Sequence, residues 1–142
     1  MSVISCGNSS LVFPSTAPAG AVGSVIDPTI NTLAVADNTL LQPISALTLP
    51  KGVWAIQGTL YVAPVTGGQT LIGETGIAKD AVVVWRSQIA TQSAGYSVSL
   101  SAIVSSNGTN VITIPMTYNT SAGSTYGVSA SPLSKVQFIR VA

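Results

Sequence analysis

The sequence predicts an all-β fold, a sandwich or a barrel, and three observations predict it. Apolar residues alternate with polar ones at a period of two, in runs bounded by Gly, Pro, Asn and Ser, which is the pattern of half-buried strands. Val, Ile and Thr are abundant, and these residues suit pleated surfaces. Helical spacing is scarce, because Gly, Pro, Ser, Thr or Asn interrupts nearly every window. The length of 142 residues fits one domain, large enough to bury roughly 68–70% of its unfolded surface without a metal or disulfide staple.

The elements follow in chain order. In the first 45 residues, Leu11-Val12-Phe13, Val22 to Ile26 and Thr32 to Ala36 read as short strands, punctuated by Pro14, Pro18, Pro28 and Pro43. Residues 1–45 are expected as an N-terminal arm or as the first strands, and residues 46–142 as the body. Leu47-Thr48-Leu49 leads into a Pro50-Lys51-Gly52 turn and a long strand from Val53 to Ala63. There Trp54, Ile56, Leu60 and Val62 share one face, and Gln57, Thr59 and Tyr61 the other. Pro64 and Gly67-Gly68 end it, and Gly67 to Gly76 reads as a loop.

Ala81 to Ala90 is expected as a strand with Val83, Trp85 and Ile89 on one face and Val82, Val84 and Arg86 on the other. Its start is apolar on both faces and is expected to be covered on both. Tyr96 to Val104 is the clearest strand. Tyr96, Val98, Leu100, Ala102 and Val104 oppose Ser97, Ser99 and Ser101, and Ile103 breaks the rule. Asn107-Gly108 then predicts a hairpin into Val111–Tyr118, where Ile112, Ile114, Met116 and Tyr118 face one way. Pro115 cannot donate a ladder bond and marks an edge or a bulge. The last strand, Lys135 to Val141, turns Val136 and Phe138 one way and Ile139 and Val141 the other.

Composition narrows function. Charged residues are 6% of the chain, against about 25% in ordinary domains, and there is no histidine. Enzymes assemble their chemistry from His, Asp, Glu, Cys and Lys, so the balance speaks against catalysis. The net charge of +1 is scattered. No basic stripe exists to meet phosphates, so neither nucleic acid nor an anionic membrane surface is an expected partner. No run approaches the roughly 18 apolar residues of a membrane helix. Weak repulsion between copies and a mean hydropathy of +0.54 instead favour self-association. Cys6 is the only cysteine, so no intrachain disulfide forms. The first residues show no signal peptide, and synthesis in a host cytoplasm is expected.

Leu47-Thr48-Leu49-Pro50-Lys51-Gly52-Val53-Trp54-Ala55-Ile56-Gln57-Gly58 resembles the L-x-L-P-x-G-x-W-x-I-x-G segment of jelly-roll domains related to the C1q and tumour-necrosis-factor families. Similar segments occur in head and surface proteins of viruses and phages. The closing Lys135-Val136-Gln137-Phe138-Ile139-Arg140-Val141-Ala142 looks like the terminal strand of that architecture. The resemblance spans roughly Leu47 to Ala142. It implies an antiparallel jelly roll, a homotrimer with inner sheets packed around a threefold axis, and a virion location. The chain departs from secreted members in lacking a stalk, and it lacks the acid clusters of calcium-binding members.

Candidate sites are few. Asp27, Asp37, Glu74 and Asp80 are the whole acid inventory and read as turn and surface residues. A Ser-His-Asp triad is excluded, a Ser-Lys dyad remains formally possible with Lys51 or Lys135, and no catalytic, cofactor or metal residue is assigned. Gly67-Gly68 and Gly73-x-x-Gly76 do not make a phosphate loop. Trp54, Trp85, Leu100 and Phe138 are the expected core. Tyr61, Tyr118, Tyr126, Ile139 and Val141 are the candidate subunit or partner interface, since exposed tyrosines suit interfaces. Arg86 or Arg140 could pair with Glu74 or Asp80 of a neighbour. The expected function is a non-enzymatic viral structural protein. It would trimerise and decorate, cement or cap a capsid, with itself and major capsid or other virion proteins as partners. The alternative is a spike or tail-fibre head that binds a host receptor or glycan through loops such as Gly67–Gly76 and Asn119–Thr125.

Overall fold

The computed structural model describes residues 21–65, 70–93, 95–120 and 124–142. Cys6, Leu11–Phe13, Pro14, Pro18 and Gly67-Gly68 lie outside them. Every element among the described residues is a strand, and every strand pair is antiparallel. The strands are β1 (Val25–Ile26), β2 (Val35–Ala36), β3 (Leu47–Thr48), β4 (Gly52–Pro64), β5 (Thr70–Lys79), β6 (Val82–Ser93), β7 (Tyr96–Ser106), β8 (Val111–Thr113), β9 (Met116–Thr120), β10 (Thr125–Val128) and β11 (Lys135–Arg140).

Two sheets form a jelly-roll sandwich, and each is built around one long strand. In the first sheet β4 pairs along one edge with β7, from Gly52↔Ser106 to Val62↔Tyr96 without interruption. Its other edge meets β11 and then β10. The short strands β1 and β2 lie beyond these. In the second sheet β5 pairs with β6 on one edge and with β9 and β8 on the other, and β3 adds to β8.

The alternation read from the sequence decides what each sheet buries. Trp54, Ile56, Leu60 and Val62 of β4, Val98, Leu100 and Val104 of β7, and Val136 and Phe138 of β11 point inward and are buried. They meet Leu71, Ile77, Ile112, Ile114, Met116 and Tyr118 from the second sheet in one core. Leu41 and Ile44, upstream of β3, are also fully buried there. The Trp54 indole Nε1 donates to the Pro50 carbonyl at 2.9 Å, so the turn before β4 holds the tryptophan it introduces. Trp85 is only half-buried and packs against the rim of the core.

Four expectations are corrected. The segment around Gly73 and Gly76 is the central strand β5, not a loop. A Cβ on Gly73 would lie 2.2 Å from the Thr117 carbonyl oxygen and 2.7 Å from the Tyr118 Cα. Glycine there admits the neighbouring backbone and does not make a turn. The Asn107-Gly108 segment turns, with Gly108 at φ +102°, but it joins no hairpin. It carries the chain from β7 in the first sheet to β8 in the second. The start of β6 is exposed among the described residues: Val82, Val83 and Val84 are 65%, 42% and 49% exposed. A register shift puts Trp85 opposite Ile77 but Val83 opposite Ala78, so a bulge moves Val83 off the Trp85 face. Finally, Tyr118 and Tyr126 do not reach the surface.

Candidate functional site

Tyr118 and Tyr126 have no exposed surface and lie edge to face with ring centroids 5.7 Å apart. The Tyr118 hydroxyl shares a 2.7 Å hydrogen bond with Thr75 Oγ1 of β5. The Tyr126 hydroxyl donates to the Thr39 carbonyl and, at 3.1 Å, to the Met116 carbonyl. Burial raises both phenols, that of Tyr126 to about 12. Tyr126 thereby ties β10 of the first sheet to β9 of the second. These residues close the sandwich and cannot form an interface. The signal was present in the sequence: Tyr118 alternates with Ile112, Ile114 and Met116, all of them buried.

The acids stand apart, each with its own partner. Asp37 Oδ1 accepts from the Thr120 backbone N–H at 2.7 Å. Asp27 meets Lys135 at 3.7 Å. Asp80, at positive φ in the β5–β6 turn, accepts from the Val111 N–H and the Asn110 side chain. These bonds hold its carboxyl below the usual range. Glu74 accepts from Gln88 Nε2 at 2.9 Å and pairs with Arg86 of its own chain at 3.5 Å. Arg140 Nε donates to the Ala142 carbonyl. Among the described residues no three His, Cys, Asp or Glu side chains gather as metal ligands do.

The outward faces of the two sheets differ in chemistry. On the second sheet Glu74, Arg86 and Gln88 form a charged row, flanked by Asn38, Thr117 and Asn119 in an open groove. On the first sheet the outward residues of β7 are Ser97, Ser99, Ser101, Ile103 and Ser105. Across the ladder stand Tyr61, Thr59, Gln57, Ala55 and Val53 of β4. Beyond β4 come Lys135, Gln137 and Ile139 of β11, with Val25 of β1 opposite Ile139. Lys135 is the only charge in this array, and it sits at one corner beside Asp27. One end is polar. The other collects Ala55, Ile139, Val25 and Ile103, the last 72% exposed, with Val141 also exposed nearby.

Three of the five predicted interface residues, Tyr61, Ile139 and Val141, therefore lie on or beside one surface. Tyr61 is half-buried, and its ring covers Gly95, where a Cβ would meet the phenol oxygen at 2.1 Å. Ser97, Ser99, Ser101, Ile103 and Gln57 were read from the sequence as strand positions and not as interface candidates. Only strand pairing across β4 brings them into one array with Ile139 and Val25.

No family model and no curated protein matches the chain. Solved structures do resemble it in fold. The VP2 protein of infectious bursal disease virus, in T=1 particles, superposes with a TM-score of 0.51 at 10% identity over 99% of this chain and 36% of its own. The Eiger TNF protein of S. frugiperda gives 0.45 at 11% identity over 86% of this chain and 94% of its own. The chain spans about a third of VP2. At 10% identity the VP2 likeness establishes the fold, a β jelly-roll sandwich, and no more.

Proposed function

We propose that this chain is a non-enzymatic, capsid-type viral structural protein. It self-associates as a trimer through the outward face of its first sheet and decorates, cements or caps a virion shell. One observation carries the reading: that face presents exposed Ile103, Val25 and Val141 among Ser, Thr, Gln and Ala, with one charge at its corner. Interface centres are depleted in charge, and contiguous exposed apolar surface on a soluble protein marks a contact. The VP2 likeness supports a particle-forming role at low identity, and the C1q/TNF resemblance supplies the threefold arrangement.

Light scattering on a sizing column, at two concentrations, tests it. The expected mass is near three times 14.3 kDa at both. Ala55→Glu, placing a charge at the centre of the apolar end, should shift the mass to that of the monomer while circular dichroism stays unchanged. A wild-type monomer at both concentrations sinks the proposal.

A second reading has its own observation. The groove on the second sheet lines up the amides of Asn38, Gln88 and Asn119 with the Glu74 carboxylate, a set of donors and acceptors suited to sugar hydroxyls. A receptor- or glycan-binding head would use it. A glycan array with no hits removes this reading and leaves the assembly reading intact.

A further inference from the structure

Sheet edges are templates for strand pairing, and natural proteins blunt them with short strands, charges, prolines or bulges. The described edges of this molecule follow that rule with one exception. β1, β2 and β3 are two residues long. β6 carries Arg86, and its ladder with β5 is broken twice by register shifts. β7 is different. Its eleven residues, Tyr96 to Ser106, contain no charge and no proline, and its register with β4 runs unbroken from end to end. Among the described residues β7 pairs with β4 alone. It presents an edge of about 35 Å with nothing to repel a second strand.

We propose that the free edge of β7 pairs antiparallel with β7 of a second copy, about a twofold axis at Ser101. The strand's own sequence selects this occupant. Centring on Ser101 overlaps all eleven residues of both copies. On the outward face it sets Ser101 against its twin, Ser99 against Ile103 and Ser97 against Ser105. On the core side it sets Leu100 against Ala102 and Val98 against Val104. Each larger side chain meets a smaller one or its near equal in size, and no like charges oppose. The pairing adds about ten backbone hydrogen bonds and joins the first sheets of two copies into one. An isologous contact of this kind needs no second partner surface. It is independent of the face contact proposed above, which buries side chains and leaves backbone edges free.

The test uses the full chain in a Cys6→Ser background. Ser101→Cys should give a covalent dimer with a short thiol cross-linker, because residues directly opposite across an antiparallel pair have Cβ atoms about 4.5–5.5 Å apart. Ser45→Cys, exposed and outside the strands, is the control. Mixed chains carrying Ser97→Cys and Ser105→Cys should cross-link to each other, and Ser97→Cys alone should not. Ser101→Lys should halve the native mass of the largest assembly with the fold retained. Ala55→Glu should leave the Ser101→Cys cross-link in place, which separates this edge contact from the face contact. A Ser101→Cys yield no greater than that of Ser45→Cys overturns the proposal. So does a cross-link abolished by Ala55→Glu, or a native mass unchanged by Ser101→Lys.

Discussion

Tyr118→Phe removes one hydroxyl from a site with no exposed surface, and the structure says what that costs. The phenol shares its hydrogen bond with Thr75 Oγ1 at 2.7 Å, and Thr75 is fully buried too. Phenylalanine leaves the Thr75 hydroxyl without that partner, away from water, at a cost of about 1–3 kcal/mol. Thr75→Val, made alone, strands the Tyr118 hydroxyl in the same way at a similar cost. The double variant strands neither group. Its loss should therefore fall short of the sum of the singles by about 1 kcal/mol or more. Urea unfolding followed by the fluorescence of buried Trp54 measures all four proteins. Native mass should be the same in each, because Tyr118 lies in the core. Strictly additive losses would refute the shared buried bond. A Tyr118→Phe protein of unchanged stability but altered mass would refute the assignment to the core and restore the phenol to an interface.

Three further predictions follow from the same packing. Gly73→Ala should unfold the protein or cost about 3 kcal/mol or more, since its Cβ would lie 2.2 Å from backbone. Gly76→Ala, whose nearest atom would stand at 3.4 Å, should be tolerated and gain up to about 1 kcal/mol from the stiffer unfolded chain; thermal melts compare the two. Tyr126 has its phenol raised to about 12 from 10.0, so its neutral form is favoured by folding. That stability is fully present below pH 10 and is lost as pH rises from 10 toward 12, by an amount on the order of 2–3 kcal/mol; Tyr126→Phe should flatten this part of a stability-versus-pH curve. Asp37→Ala should cost about 1 kcal/mol by freeing the Thr120 N–H, read as a shift in the urea midpoint.

The sandwich was legible where one face of a strand is wet and the other dry. β4, β7 and β11 alternate because Ser, Thr and Gln stand between the buried residues, and their bounds fall within a few residues of expectation. β5 was not legible. Its two glycines look like a turn in sequence, and their role depends on how closely β9 approaches. The start of β6 misled for a related reason: a bulge resets the alternation, and no single-strand pattern records it. Asn107-Gly108 specifies a local turn but not which sheet receives the next strand. The face proposed for assembly was half legible. Ile139 and Val141 announced themselves by facing away from Val136 and Phe138. The serines of β7 looked like ordinary solvated positions until pairing with β4 set them beside Ala55 and Gln57.

The two outward faces show where the sparse charges went. Glu74 and Arg86 pair on the second sheet, and Asp37 and Asp80 bind backbone near strand ends. The outward face of the first sheet retains Lys135 alone, held at its corner by Asp27. A face meant only for water gains nothing from excluding charge, since exposed charges cost little and oppose association. A face that packs against a copy gains, because every charge buried there must be desolvated and paired. The free edge of β7 borders that same uncharged face. A heterologous face contact closes around a rotation axis, whereas an isologous edge contact ends after two copies. The two proposed contacts together would give a threefold and a twofold operation on one chain, which is the minimum from which a closed shell, and not merely a ring, can be built. Neither contact draws on the groove of the second sheet, so that charged face would remain open to whatever lies outside the assembly.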